Sequence, residues 1–178
     1  QAQKIRANLK HPIVDADGHF TEMLPLLLDY ITQIGGRRMA EQYRNDHLVN
    51  PWWQMSPAER HDTRTVIPAG GTGGTRTNTL DRATALLPQM MNDRLDELGI
   101  DFSILYPSLG LYAITIPGIQ HDEMRQVLCR ALNTYVAEIY GPYSKRMTPA
   151  ALIPMNNPDE AIAEIEHVIN VLGLKVIG

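Results

Sequence analysis

The chain has 178 residues, of which 44% are hydrophobic and 20% charged, so it can bury a core and is neither disordered nor collagen-like. Its 16 Lys and Arg residues against 20 Asp and Glu residues give a net charge of -4, which disfavours nucleic acid or an anionic membrane as a partner. The single cysteine, Cys129, excludes an internal disulfide, and no apolar run is long enough to span a bilayer. We therefore expect a cytoplasmic protein that acts on a small molecule.

The first half of the chain predicts one strand, one interrupted helix and a long irregular segment. Residues 12–19 begin as an apolar strand and then carry a charge at every second position. Two helical pieces, 22–34 and 37–43, are separated by a pair of glycines that together stop a helix. About residues 45–78 form an irregular stretch too long for an ordinary connection, which we interpret as a lid or insertion.

The second half alternates helices and strands. Apolar residues over 80–98 recur at steps of three and four, which predicts one amphipathic helix that ends at Gly99. A strand over 100–107, a helix over 122–140 and a strand over 147–154 follow. The last helix is capped by Asn157 with Pro158 at its first position, and a strand over 174–177 closes the sequence.

The inner face of the last helix is predicted from its apolar spacing alone. The residues expected to point inward are Ile162, Ile165, Ile169 and Leu172. The alternation of apolar strands and helices is typical of a parallel α/β sheet. Two architectures fit it, an open doubly wound sheet and the N-terminal half of a TIM-type (β/α)8 barrel with a long insertion after strand 1.

Ionisable residues concentrate in the segment IVDADGHFTE, residues 13–22. Strand alternation predicts that Asp15, Asp17 and His19 share one face, where unpaired buried carboxylates would cost on the order of several kcal/mol each. A divalent metal would neutralise them, because imidazole and carboxylate together suit zinc, manganese or iron. The alternative is structural: Asp15 and Asp17 shape the turn and cap the next helix, with Glu22 in its first turn.

The motif DADGHFTE resembles the strand-one signature of the amidohydrolase superfamily, in the amidohydrolase-related branch that includes aminocarboxymuconate semialdehyde decarboxylase and the hydroxybenzoate-type decarboxylases. The segments NDRLDELGIDFSILYPSLGL and GLKVIG continue the resemblance in the same order. It implies a metal-dependent hydrolase or carboxy-lyase on a (β/α)8 barrel, of which residues 1–178 hold strands 1 to 4.

The resemblance also implies a role for each residue of the motif. The family places His-x-His at strand one, and this chain has Asp17 and His19 at those positions. Asp17 and His19 are thus expected to bind the metal, with Asp15 and Glu22 as supporting groups. The ion is expected to be zinc or, because a carboxylate favours a harder ion, manganese.

The family takes its remaining ligands and its general acid or base from later strands. The catalytic residue is accordingly expected beyond residue 178, supplied by the remainder of the same polypeptide. A half barrel that works only in an assembly is the alternative, and a homo-oligomer is expected in either case.

Substrate-binding candidates lie in the insertion and at the ends of the later strands. Trp53 could wall an aromatic pocket and Arg76 could clamp a carboxylate, although both residue types are also ordinary on a surface. Tyr106 and Ser108 follow the second strand and Asn156 follows the third, where barrel loops line the site.

Three functions remain open. The preferred one is hydrolysis, in which metal-activated water attacks a small, carboxylated or aromatic substrate. The second is non-oxidative decarboxylation of an aromatic or enol carboxylate. The third is a non-catalytic, doubly wound binding module whose glycine-rich segment 70–77 holds an anion.

Overall fold

The computed structural model describes residues 1–47, 55–63, 79–108, 110 and 122–178. The strands are β1 (Val14–Phe20), β2 (Phe102–Pro107), β3 (Met147–Ala151) and β4 (Val176–Ile177). The α-helices are α1 (Ala2–Arg6), α2 (Leu24–His47), α3 (Pro57–Thr63), α4 (Thr79–Leu86), α5 (Pro88–Leu98), α6 (Asp122–Tyr140) and α7 (Pro158–Asn170). A short 3-10 helix, Gly141–Tyr143, follows α6 directly.

The four described strands form one parallel sheet in the order β1-β2-β3-β4, so the predicted parallel α/β sheet is confirmed. Each strand pairs with the next one along the chain. A doubly wound sheet reverses its strand order at a switch point, and the described strands show no such reversal. Their order is the one in which strands follow each other around a barrel.

The two faces of this sheet differ in how they are covered. Phe20, Leu105 and Met147 point from one face into a core that includes residues of α2 and α6. Across the other face, Ile104 and Tyr106 remain partly accessible and Val14 is exposed. The apolar side chains of the second face are therefore less covered than those of the first.

Two glycines shape α2 as the sequence predicts. The helix is interrupted at Gly36, whose φ of 81° lies in the left-handed region that favours glycine. At the neighbouring Gly35, a Cβ atom would lie 2.5 Å from Cγ1 of Val127. Gly35 therefore allows the backbone of α2 to approach α6 closely, in addition to marking the end of the first helical piece.

The single helix predicted over 80–98 is wrong, because the structure has two helices, α4 and α5. Leu87 lies between them in an extended conformation, with φ -116° and ψ 108°. Pro88 is the cause, since proline disfavours a helical conformation in the residue before it. The predicted end of this region is confirmed: Gly99 caps α5 in the left-handed conformation at φ 76°.

The predicted inner face of α7 is partly wrong. Ala161, Glu164 and Val168 are the buried residues of this helix, whereas Ile162 and Ile169 are 56% and 52% exposed. Glu164 turns inward because its carboxylate accepts hydrogen bonds from Asn133 and Arg130 on α6, at 2.8 and 2.7 Å.

The other two residues predicted to face inward, Ile165 and Leu172, pack partly buried against the core. The predicted cap is confirmed, because the Asn157 side chain accepts a hydrogen bond from the amide of Asp159 at 3.0 Å.

Across the described ranges, no helix combines the length and the apolar composition that a bilayer span requires.

Candidate metal centre

A β-bulge in β1 separates the ionisable residues of the strand. Asp15 pairs with Ser103 and Gly18 with Leu105, so two residues of β1 oppose one residue of β2. Because the bulge adds a residue, Asp15 and Gly18 share the face of Ser103 and Leu105, while His19 shares the face of Tyr106. The prediction that Asp15, Asp17 and His19 share one face is therefore wrong for Asp15.

Asp15 stabilises the bulge. Its carboxylate accepts a hydrogen bond from the Ser103 hydroxyl at 3.2 Å and another from the backbone amide of Asp17 at 3.1 Å. A Cβ atom on Gly18 would lie 2.6 Å from the Ser103 hydroxyl and 2.9 Å from the carbonyl oxygen of Ile104. The bulge thus requires a glycine at position 18, and Asp15 fixes the backbone that carries Asp17.

Asp17 and His19 lie beside each other at the carboxyl end of β1. Oδ1 of Asp17 is 4.0 Å from Nε2 of His19, and the side chain of Asp17 is 96% exposed against 33% for His19. The other ring nitrogen of His19, Nδ1, is buried and has no hydrogen-bond partner among the described residues. Buried ring nitrogens normally have a partner, so this one is open to a ligand or to a group outside the described ranges.

The Asp17 and His19 side chains suit a divalent ion in chemistry, since imidazole and carboxylate together bind zinc, manganese or iron. Two ligands of one tetrahedral ion lie roughly 3.4 Å apart at bond lengths of about 2.1 Å, so the 4.0 Å separation would have to shorten by a small side-chain movement. Within the described ranges, no group of three or more His, Cys, Asp or Glu residues could hold a metal ion. A metal site built on this pair would therefore need further ligands from outside the described residues.

The residues predicted to bind substrate fall into three groups. Tyr106 lies next to His19, with 6.0 Å between the ring centroids and a tilt of 44°. Ser108 is buried, and its amide donates to the carbonyl of Phe20 at 3.1 Å, which joins the ends of β1 and β2. Asn156 is exposed in the turn after β3, whereas Trp53 and Arg76 lie outside the described residues.

Glu22 follows β1 by two residues and is buried, with 1% of its surface exposed. Its Oε1 accepts a hydrogen bond from the backbone amide of Gly110 at 2.7 Å. Burial raises the pKa of Tyr43 and of Tyr135, and the charge of Glu22 adds to both shifts. This buried carboxylate had only its place in the motif to mark it in the sequence.

Two further features lie away from the pair. A cavity of about 420 Å³ is lined by Leu87, Pro88, Gln89, Met90, Asp93, Ile139 and Tyr143, none of which is a predicted site residue. Cys129 is fully buried, and burial raises the pKa of its thiol to about 12, so it is not a nucleophile at neutral pH.

Two solved structures similar to this chain are named as decarboxylases. The 2,6-dihydroxybenzoate decarboxylase from Rhizobium is 17% identical at a TM-score of 0.47, and the alignment covers 94% of this chain and 38% of that one. The 5-carboxyvanillate decarboxylase from Novosphingobium aromaticivorans, with bound manganese and 3-methoxy-4-hydroxy-5-nitrobenzoic acid, is 19% identical at a TM-score of 0.49, with 94% and 41% covered.

Hydroxybenzoate-type decarboxylases are among the enzymes that the motif DADGHFTE resembles. The chain spans about two fifths of the length of these solved structures. No family model matches the chain, and no curated protein matches it significantly.

Proposed function

We propose that residues 1–178 form the first half of a (β/α)8 barrel. The sequential parallel order of β1 to β4 supports this architecture, as does the contrast between a face packed against helices and a less covered face. In a closed barrel the less covered face becomes the filled interior. Residues 45–78 would then be an insertion after strand 1, which stays a prediction because most of that segment lies outside the described residues.

The function that we propose is that of a metal-dependent decarboxylase, a carboxy-lyase that acts on an aromatic or enol carboxylate. The observation that carries it is the pair of Asp17 and His19, whose Oδ1 and Nε2 atoms lie 4.0 Å apart. The second ring nitrogen of His19, Nδ1, has no hydrogen-bond partner in the described part of the chain. In the amidohydrolase superfamily this position of the motif binds metal. Decarboxylation replaces the preferred hydrolysis because the similar solved structures are named as decarboxylases, within a branch that the motif DADGHFTE already leaves open to both reactions.

Asp17 and His19 would hold the ion, and Asp15 would support them through the backbone of the bulge. When bound, a divalent ion would draw in the substrate carboxylate and an adjacent oxygen and stabilise negative charge. Zinc and manganese both suit one imidazole and one carboxylate, so elemental analysis must identify the ion.

The chain's own residues would place the substrate against this pair. The Tyr106 ring lies beside His19 and would form one wall for a planar substrate. In the reaction the bond to the carboxylate carbon breaks, its electron pair stays on the substrate carbon, and a proton from a general acid replaces carbon dioxide. We propose that this acid and the remaining ligands lie outside residues 1–178.

The test is to incubate the metal-loaded, full-length protein with hydroxybenzoates and, separately, with lactones. Decarboxylation releases carbon dioxide and leaves the corresponding phenol, whereas hydrolysis opens the lactone without releasing gas. The proposal expects carbon dioxide from a hydroxybenzoate and no reaction of the lactones. Lactone hydrolysis without carbon dioxide would overturn it in favour of the hydrolase, and absence of both activities and of metal would favour a binding module.

Substrate contacts of Ser108, Asn156, Trp53 and Arg76 are part of the same proposal. Each has a simple readout, because a substrate contact raises KM when it is removed and leaves the metal content unchanged. A homo-oligomer and a cytoplasmic location stay predictions from the sequence.

A further inference from the structure

A buried carboxylate joins the segment that follows β1 to Gly110, which follows β2. Glu22 lies three residues after His19, between the end of β1 and the start of α2, and its Oε1 accepts the amide proton of Gly110 at 2.7 Å. Gly110 is itself two residues beyond Ser108, after the end of β2. The bond therefore crosses from the segment that follows the metal pair to the segment that follows Tyr106 and Ser108.

The contact depends on a glycine at position 110. A Cβ atom there would lie 2.3 Å from Cδ2 of Leu132, 2.9 Å from Cδ1 of Leu152 and 3.2 Å from Oε1 of Glu22. The backbone of Gly110 thus fits between two core leucines and the carboxylate. A larger side chain would displace the segment from the carboxylate, because core packing leaves no room for it.

The same contact extends to the segment after β3. Leu152, which packs beside Gly110, exchanges two hydrogen bonds with the side-chain amide of Asn133 on α6, each at 2.8 Å. Asn133 also donates to Glu164 of α7 at 2.8 Å. These contacts therefore link the residues that follow β1, β2 and β3. They lie near the carboxyl ends of the strands, where a barrel carries its site.

A carboxylate is a costly way to achieve stability alone. An ionised group loses its hydration on burial, and an apolar residue of similar size is often as stabilising at the same place. What the carboxylate adds is direction, because a charge-assisted hydrogen bond to a backbone amide fixes both partners in one geometry. The feature that Glu22 fixes is the position of the Gly110 backbone.

We propose that Glu22 is a positioning residue, which holds Gly110 through its backbone amide, two residues beyond Ser108, so that Tyr106 and Ser108 face a substrate bound at His19. The inference rests on the proposed function for its substrate and goes beyond it, because it gives Glu22 a role on the substrate side of the site. The metal content of Glu22 variants tests the prediction that Glu22 supports the metal ligands.

The experiment compares Glu22→Gln and Glu22→Ala in the full-length, metal-loaded protein. Gln keeps an oxygen that accepts the Gly110 amide proton, whereas Ala removes it. We expect the Ala variant to lose roughly 10- to 100-fold in kcat/KM, mainly through a higher KM, and the Gln variant to recover most of that loss. The metal content of both variants should equal that of the unchanged protein.

A second readout does not depend on activity. In protein made with isotope-labelled glycine, the Gly110 amide should exchange with solvent faster in the Ala variant and at the original rate in the Gln variant. Glu138→Ala is the control for the Ala variant, since it also removes a carboxylate that accepts a hydrogen bond, in this case from the Tyr30 hydroxyl at 2.5 Å. That control should change neither the Gly110 exchange rate nor KM.

Any of three results for the Ala variant would overturn the inference. The first is a kcat/KM per folded molecule that equals that of the unchanged protein, with only a lower Tm. The others are loss of the metal and an unchanged exchange rate of the Gly110 amide. If the Ala variant does not fold, Glu22→Asp replaces it, because the shorter carboxylate no longer reaches the amide and should give the same losses. If the unchanged protein turns over no substrate, the proposed function fails, and the Gly110 exchange rates alone decide whether Glu22 positions the segment.

Discussion

The two ends of the sheet use their ionisable residues in opposite ways. At the amino-terminal end, the Asp101 carboxylate accepts two hydrogen bonds from Arg6, at 2.5 and 2.9 Å, and one from the Ile13 amide at 2.7 Å. Arg146 donates to Asp96 at 2.7 Å and to the Asp101 carbonyl at 2.9 Å. These bonds join the chain just before β1, β2 and β3, so the cluster serves the fold.

The carboxyl-terminal end leaves comparable groups open. Asp17 extends into solvent, and Nδ1 of His19 has no partner in the described part of the chain. Polar groups that satisfy one another hold a structure together, whereas groups held in place but left unsatisfied are available to a ligand. The difference between the ends is therefore one of hydrogen bonding more than of residue type, and barrels carry their sites at the carboxyl end.

The largest effect is expected at the carboxyl-terminal end of the sheet, here called the open end, when one of its residues is removed. We expect His19→Ala to lower kcat/KM more than about 100-fold, because removing a ligand should exceed the 10- to 100-fold effect of losing a group that supports one. The Tm in the absence of metal should stay close to its original value. Retention of most of the activity by this variant would show that the open end is not the metal centre.

The next largest effect is expected at the bulge of β1, which separates the hydrogen-bonded Asp15 from Asp17 and His19. Gly18→Ala should cost about 1–3 kcal/mol in the free energy of unfolding, since its Cβ would overlap Ser103 and the Ile104 carbonyl. It should also weaken metal binding, because the backbone of Asp17 must move. Gly141→Ala is the control, because no atom outside its neighbouring residues lies within 4 Å of its added Cβ, and the two variants should differ clearly in urea unfolding.

The smallest effect is expected at the closed end, and it depends on pH. The hydrogen bond from Arg6 and then that from Ile13 hold the pKa of Asp101 below its usual value. The ionised form therefore contributes stability above the unfolded pKa of about 3.9, and this contribution is lost as the pH falls through the lower folded value. Asp101→Asn should flatten this acid limb of the Tm profile and leave metal content and kcat/KM unchanged.

The capped elements of the chain could be predicted from the sequence, since caps and glycine stops are local. Asn157 caps the amino-terminal end of α7 and Gly99 caps the carboxyl-terminal end of α5, as predicted. Apolar spacing predicts a continuous helix through Leu87, whereas the structure breaks there, and Pro88 is the local signal for the break. The inner face of α7 was misjudged because Glu164 finds partners on another helix, which no local pattern reveals.

The site could be predicted only in part for a similar reason. The motif predicts Asp17 and His19 as site residues, and the structure places Oδ1 of Asp17 4.0 Å from Nε2 of His19. Strict alternation failed at Asp15, because a bulge shifts the faces and depends on contacts with Ser103 in another strand. The bond between Glu22 and Gly110 joins residues 88 positions apart, so the sequence could show neither its partner nor its direction.

The most direct test of the account is the metal content of purified, full-length protein and of its Asp17→Ala and His19→Ala variants, measured by elemental analysis. The account predicts a stoichiometric divalent ion in the unchanged protein and its loss from both variants, with Asp101→Asn retaining it. An unchanged protein without metal, or variants that keep the ion, would contradict the assignment of Asp17 and His19 as ligands.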